Sequence, residues 1–190
     1  MSTSLRAPRL SPDDRRESIL DAAVPLFMAQ GSDVTTRQIA DAAGIAEGTI
    51  FRAFADKDAL IDAAVARFMD PSPTLERLAE IDPALTLEAT ITAIVEILRE
   101  RIAGVMGIMH AVGMRKPPQH PPHVTADAAQ SVALAVLDRH RDELGVTPET
   151  AMSLIRVTVF GSTVTPFAGV KPLESRELTH FILNGIAKDV

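Results

Sequence analysis

The sequence predicts an all-α fold, and three observations carry that prediction. Apolar residues recur at helical spacing through most of the 190 residues, the mark of helices with one buried stripe. Caps stand where these patterns begin, and Gly or Pro stands where they end. No stretch alternates with period two for long enough to require a strand. By pattern the chain divides into a flexible arm over 1–10, a three-helix unit over 11–56 and a longer helical unit over 57–190.

Ser11 opens the first helix as its cap, with Pro12 at the first helical position and Asp13 and Asp14 in the first turn, where carboxylates complement the dipole. Ile19, Ala23, Leu26 and Phe27 follow at helical spacing to about Gln30, and Gly31 is the stop. Pro25 removes a hydrogen bond to Asp21 and is expected to kink the helix. Thr35-Thr36-Arg37-Gln38 is a capping box that opens a short helix through Ala43. Gly44 breaks it, and a second short helix runs from about Ala46 to Ala53. Asp56 caps the next, from Lys57 to about Met69, ahead of Pro71 and Pro73. A short helix is expected over 74–80 and a long one over 87–114, with Ile91, Val95, Leu98, Ile102, Val105 and Met109 on one stripe. Lys116 to His123 holds four prolines and is a loop. Further helices are expected over 125–144, 148–166 and 174–188. Thr147-Pro148-Glu149 opens the middle one, and Pro166 and Gly169 close it.

Composition narrows the function. Hydrophobic residues make up 46% and charged residues 23%, ordinary for a globular protein. The absence of Cys excludes disulfides and thiolate metal sites and agrees with a cytoplasmic protein. No apolar run approaches the ~20 residues that cross a bilayer, and no secretory signal is apparent at the N-terminus. No Glu-x-x-His pair or Gly-rich phosphate loop supports an enzyme, and no cofactor is expected. His120 and His123 fall short of the three or four ligands of a metal site and read as surface loop.

Residues 35–60, TTRQIADAAGIAEGTIFRAFADKDAL, place two short helices around a Gly-containing turn, the geometry of a DNA-reading helix-turn-helix. Ile39, Ala43, Ile45, Ile50 and Phe54 are spaced to pack the helices together. Glu47, Gly48, Thr49 and Arg52 are left near the outer face of the second helix. A net charge of −6 over the chain speaks against nucleic acid, but phosphate contacts act at short range. Residues 1–58 hold seven basic and nine acidic side chains. Affinity must therefore come from a narrow strip of Arg6, Arg9, Arg37, Arg52 and Lys57. A lysine in a helix's first turn opposes the dipole by about 0.3–1 kcal/mol, whereas an anion bound there is favoured by both.

From about residue 15 to 62, a helix ending AAVPLFMAQG followed by VTTRQIADAAGIAEGTIFRAFADKDAL resembles the tetracycline-repressor (TetR) family. The resemblance implies an N-terminal DNA-binding domain over 11–56 and a C-terminal ligand-binding and dimerisation domain over 57–190. It implies that Thr35 and Thr36 touch phosphate, that Gly48 and Thr49 lie in the major groove, and that Lys57 clamps a phosphate. Phe51 stands at the aromatic position that is usually Tyr and lacks its hydroxyl. Ala53 replaces a frequent polar residue. Glu47 brings an acid where a neutral or basic residue is common, and an acid can accept from a cytosine amino group.

For the C-terminal unit the expectations are coarser. Met106, Met109, Met114, Met152 and Phe160, with Phe68, Leu98 and Ile102, are candidates to line a ligand pocket, since Met adapts to variable apolar shapes. Ordinary core is the competing reading for each. His110 is either a polar handle in that pocket or a hydrogen-bonded core residue. Gly104 and Gly107 weaken the long helix and make room for a ligand or for a close helix contact. Helix 148–166 is apolar nearly all round and must be covered on more than one side. With helix 174–188 it is expected to form a four-helix interface with a second copy, as the resemblance also implies, through Leu154, Val157, Val164, Leu178, Phe181, Ile182 and Gly185. The expected partners are double-stranded DNA at a near-palindromic operator, a small, mostly apolar effector and a second copy of the chain. Ligand entry would shift the helix that starts at Lys57 and spread the two reading helices, releasing DNA. The alternative is a helical protein–protein module that uses the same corner for a partner.

Overall fold

The helix starts that the sequence marks with side-chain caps are closed by those side chains in the computed structural model, which describes residues 11–113, 126–164 and 173–187. Ser11 and Asp14 form a reciprocal capping box on α1 (Pro12–Gln30). Thr35 and Gln38 do the same on α2 (Thr36–Ala43). The Asp56 carboxylate accepts from the Ala59 amide at 2.7 Å at the start of α4 (Lys57–Met69), and Thr147 accepts from the Thr150 amide at 3.3 Å at the start of α8 (Pro148–Val164). Each such cap satisfies a donor the helix leaves open and is worth ~1 kcal/mol. Between these lie α3 (Glu47–Ala53), α5 (Ser72–Ala79), α6 (Leu87–Val112) and α7 (Ala126–Asp138), and α9 (Ser175–Ile186) follows. Among the described residues there is no strand, only one isolated antiparallel bridge between Leu144 and Ala187. The fold is all-α.

Two compact units make up the chain. In the first, residues up to Phe68 are joined by the end of α6 from Gly107 onward. The boundary expected at 56/57 therefore falls inside this unit, because α4 supplies Leu60, Ile61, Ala64 and Val65 as buried residues. Helices α1, α2 and α3 pack on one another, with Ile19, Ala23, Phe27, Ile39, Ala40, Ile50 and Phe54 buried. Burying each of the larger side chains contributes roughly 1.5–3 kcal/mol. Leu26 and Ile45 are only half-buried. Pro25 lies on the exposed face of α1, which continues through it as unbroken helix. Gly31 ends α1 at φ +68°, and a Cβ there would come 2.6 Å from the Ala111 carbonyl oxygen. A Cβ at Gly107 of α6 would come 2.8 Å from the end of the flexible Met28 side chain of α1.

The second unit spans Met69–Met106 and the described residues from 126 onward. Its core joins Leu78 and Ile81 to Ile91, Ile94 and Val95 of α6, Leu137 of α7, Ile155 and Val159 of α8, and Leu178 and Ile182 of α9. Several boundaries differ from expectation for local and tertiary reasons. α5 begins two residues earlier because the Asp70 carboxylate accepts from both the amide and hydroxyl of Ser72, at 2.9 and 2.8 Å. α7 stops at Asp138 rather than near 144. There His140 turns inward: its Nε2 lies 3.1 Å from the buried Thr90 hydroxyl and its Nδ1 2.7 Å from Glu143. The Gly145 amide then donates to the Ile186 carbonyl at 2.7 Å, tying the turn to the end of α9.

Candidate nucleic-acid interface

The short helix α3 has one committed face. Ile50 is fully buried, and Phe54 just beyond the helix is buried too. On the other side Glu47, Gly48, Phe51 and Arg52 are exposed and Thr49 is half-exposed. A Cβ added at Gly48 would meet nothing within 4 Å, so the backbone there is open to an approaching surface. Phe51 presents half of its ring to solvent (51% exposed) with no hydroxyl to offer. The turn that aims α3 is made by Gly44 at φ +65°, whose amide, with that of Ile45, caps the carbonyls at the end of α2. A side chain bearing Cβ is strained in that conformation.

Three polar contacts hold this face, and the sequence alone does not show them. Arg16 of α1 donates to the Ala53 carbonyl at the end of α3 and lies over the Phe54 ring, 4.3 Å from its centre. A cation at a helix C-terminus is favoured by the dipole, and its stacking adds a cation–π term. The Thr36 hydroxyl donates to the Glu47 carboxylate, linking the starts of α2 and α3. Lys57 donates to the Ser32 carbonyl in the turn after α1, so its ammonium already helps hold α4 to that turn. Thr35 spends its hydroxyl on the capping box. Arg37 and Arg52, by contrast, are exposed and carry no ion pair among the described residues. Arg9 lies outside the described residues.

Two short helices with the second offering a solvent-facing strip of Gly, Thr, aromatic and Arg side chains fit a groove-reading corner. Residues 19–64 match the family described as bacterial regulatory proteins, tetR family. Over these residues the chain is similar to the tetR family. It is 39% identical over 82 residues to the HTH-type transcriptional repressor KstR2 of Rhodococcus jostii, a segment making up 41% of this chain and 40% of that repressor. The match thus spans well under two thirds of that relative's own length. Among solved structures, SmeT, the repressor of the Stenotrophomonas maltophilia multidrug efflux pump SmeDEF, is 25% identical, with 92% of this chain and 91% of that one covered and a TM-score of 0.55. The superantigen PfiT has a TM-score of 0.61 at 20% identity, covering 95% of this chain and 100% of that one, a likeness of fold.

Beyond this TetR-like corner, the second unit holds a cavity of about 490 Å³. Leu75 and Leu78 of α5, Leu98 and Ile102 of α6, and Val157 and Phe160 of α8 make its apolar wall. Thr74, Arg101 and Arg156 complete it. Leu98, Ile102 and Phe160 are thus brought together as expected of pocket residues. The methionines are not. Met152 is packed into the core of the second unit, because its position on α8 faces Ile155 and Val159 rather than the cavity. Met109 is buried, His110 is exposed and Phe68 is half-buried, and all three belong to the first unit; half-buried Met106 does not line the cavity. Met114 lies outside the described residues, as do His120 and His123. Among the described residues no group of three or more His, Cys, Asp or Glu is placed to hold a metal.

Arg101 was missed by pattern because it lies between the apolar positions of α6. It donates to the carbonyls of Met69 at 2.9 Å and Asp70 at 2.7 Å, the end of α4 and the residue after it. Burial lowers its pKa, and the charge of Asp70 acts in the opposite direction.

The expected dimer residues separate into two sets. Leu178 and Ile182 are buried in their own subunit and leave the proposed interface, because with Ile186 they form the inward stripe of α9. Leu154, Val157 and Phe181 are exposed, Val157 by 71% and Phe181 by 65%, and nothing lies within 4 Å of a Cβ built at Gly185. Val164 is half-buried.

Proposed function

We propose that this TetR-like chain is a cytoplasmic, non-enzymatic transcriptional regulator: a homodimer that binds a near-palindromic operator and is released by a small, mostly apolar ligand. The observation that carries the reading is the outer face of α3, where Gly48, Phe51 and Arg52 are exposed although the fold has no use for them. Two relatives, KstR2 and SmeT, are named as repressors. The large apolar side chains left exposed on α8 and α9, Leu154, Val157 and Phe181 among them, support assembly with a second copy that would cover them. Two copies would present their α3 helices about one DNA turn, or ~34–36 Å, apart. The ligand would act through Arg101, whose guanidinium both lines the cavity and holds the end of α4.

The test is a fluorescence-anisotropy titration of the full chain against duplexes from the region upstream of its own gene. The wild type should bind one fragment specifically, and Arg52→Ala should weaken that complex by about 1–3 kcal/mol. Sedimentation should show a dimer. If no genomic fragment binds, the chain is a helical protein–protein module and the regulator reading fails.

A further inference from the structure

The cavity wall is apolar apart from Thr74, Arg101 and Arg156. Its charged lining residues, Arg101 and Arg156, are both cationic, and no acidic side chain lines it among the described residues. The two guanidiniums are not equivalent. Arg101 is half-buried, feels the charge of Asp70 and is already bonded to two backbone carbonyls and, at 3.4 Å, the Thr74 hydroxyl. Arg156 is exposed and has no ion-pair partner among the described residues. With the charge of Asp70 acting on Arg101 and no ion pair on Arg156, the described residues leave close to one uncompensated positive charge beside aliphatic side chains and Phe160. The volume of about 490 Å³ falls within the range of small-molecule sites.

We infer that this cavity takes an amphipathic monoanion, an apolar body ending in a carboxylate, with the carboxylate on Arg156 and within reach of Arg101. The inference rests on the ligand-released regulator proposed above and names the chemical class of its effector. A neutral apolar ligand would leave Arg101 desolvated without gain, whereas a dianion would exceed the free charge available. Planar carboxylates match the guanidinium fork, which a lysine in the same place would not do. Occupancy would also draw Arg101 away from the carbonyls of Met69 and Asp70, loosening the end of α4.

Isothermal titration of the full chain without DNA tests this, using dodecanoate and dodecan-1-ol below their aggregation limits. Dodecanoate should bind, and dodecan-1-ol should bind about 10- to 100-fold more weakly, the effect of a charge-assisted hydrogen bond. Arg156→Gln, at an exposed position, should remove most of that difference. Phe160→Ala should weaken both probes alike. Equal binding of acid and alcohol, a preference that survives Arg156→Gln, indifference to Phe160→Ala, or no binding of either probe would each overturn the inference. Because DNA is absent, these outcomes are separate from the operator test: a chain that prefers dodecanoate but binds no duplex keeps its ligand class and loses the regulator reading.

Discussion

The first unit and the second are built from the same kind of helix, but they encode their structure differently. In the first, each short helix carries its own instructions: Ser11, Thr35 and Asp56 start helices, and Gly31 and Gly44 stop them with positive φ. Because core, caps and turns account for most positions, what remains on α3 stands out as surface. In the second unit α7 and α8 are more uniformly apolar. Thr147 still caps α8 locally, but the turn between α7 and α8 is held by partners distant in sequence, Thr90 with His140 and Gly145 with Ile186. Local coding makes a site legible. Coding by packing hides it.

The largest way to sharpen this contrast is to remove the centre of the first unit. Phe27 is fully buried, and Phe27→Ala should cost about 3–5 kcal/mol, read as a lowered urea midpoint and lost duplex binding. A smaller effect tests the second unit. His140→Ala leaves the buried Thr90 hydroxyl without the ring nitrogen it meets at 3.1 Å. It should lower stability by about 1–3 kcal/mol with duplex contacts untouched, as seen by thermal melting followed by circular dichroism. A loss confined to a few tenths would mean that the turn after α7 is set locally after all. Smallest is Phe51→Tyr. Phe51 is exposed, so a hydroxyl there should leave the melting temperature unchanged and tighten duplex binding by about 0.5–1.5 kcal/mol.

The sequence anticipated nearly all of the first unit, since capping boxes and glycine stops act within four residues of where they are read. It did not anticipate what binds the helices to one another through polar groups. Arg16 looks like any exposed helix cation until its contacts with Ala53 and Phe54 are seen. Glu47 reads as a departure from the family pattern until Thr36 is found donating to it. In the second unit, Met152 illustrates the limit. An apolar residue on a helix that is apolar nearly all round has no preferred side in the sequence, and only packing assigned it to the core. Arg101 and Arg156 escaped notice for the opposite reason, because charged residues between apolar ones resemble a solvated face.

The most direct measurement is the salt dependence of duplex binding by wild type and by Arg37→Ala, whose side chain is exposed and makes no ion pair among the described residues. Log affinity should fall linearly with log salt concentration, by about 0.9 for each phosphate contacted. Arg37→Ala should flatten that slope by about 2 in a dimer that loses one contact from each reading unit. An affinity indifferent to salt, or a slope unchanged in the variant, would contradict the account.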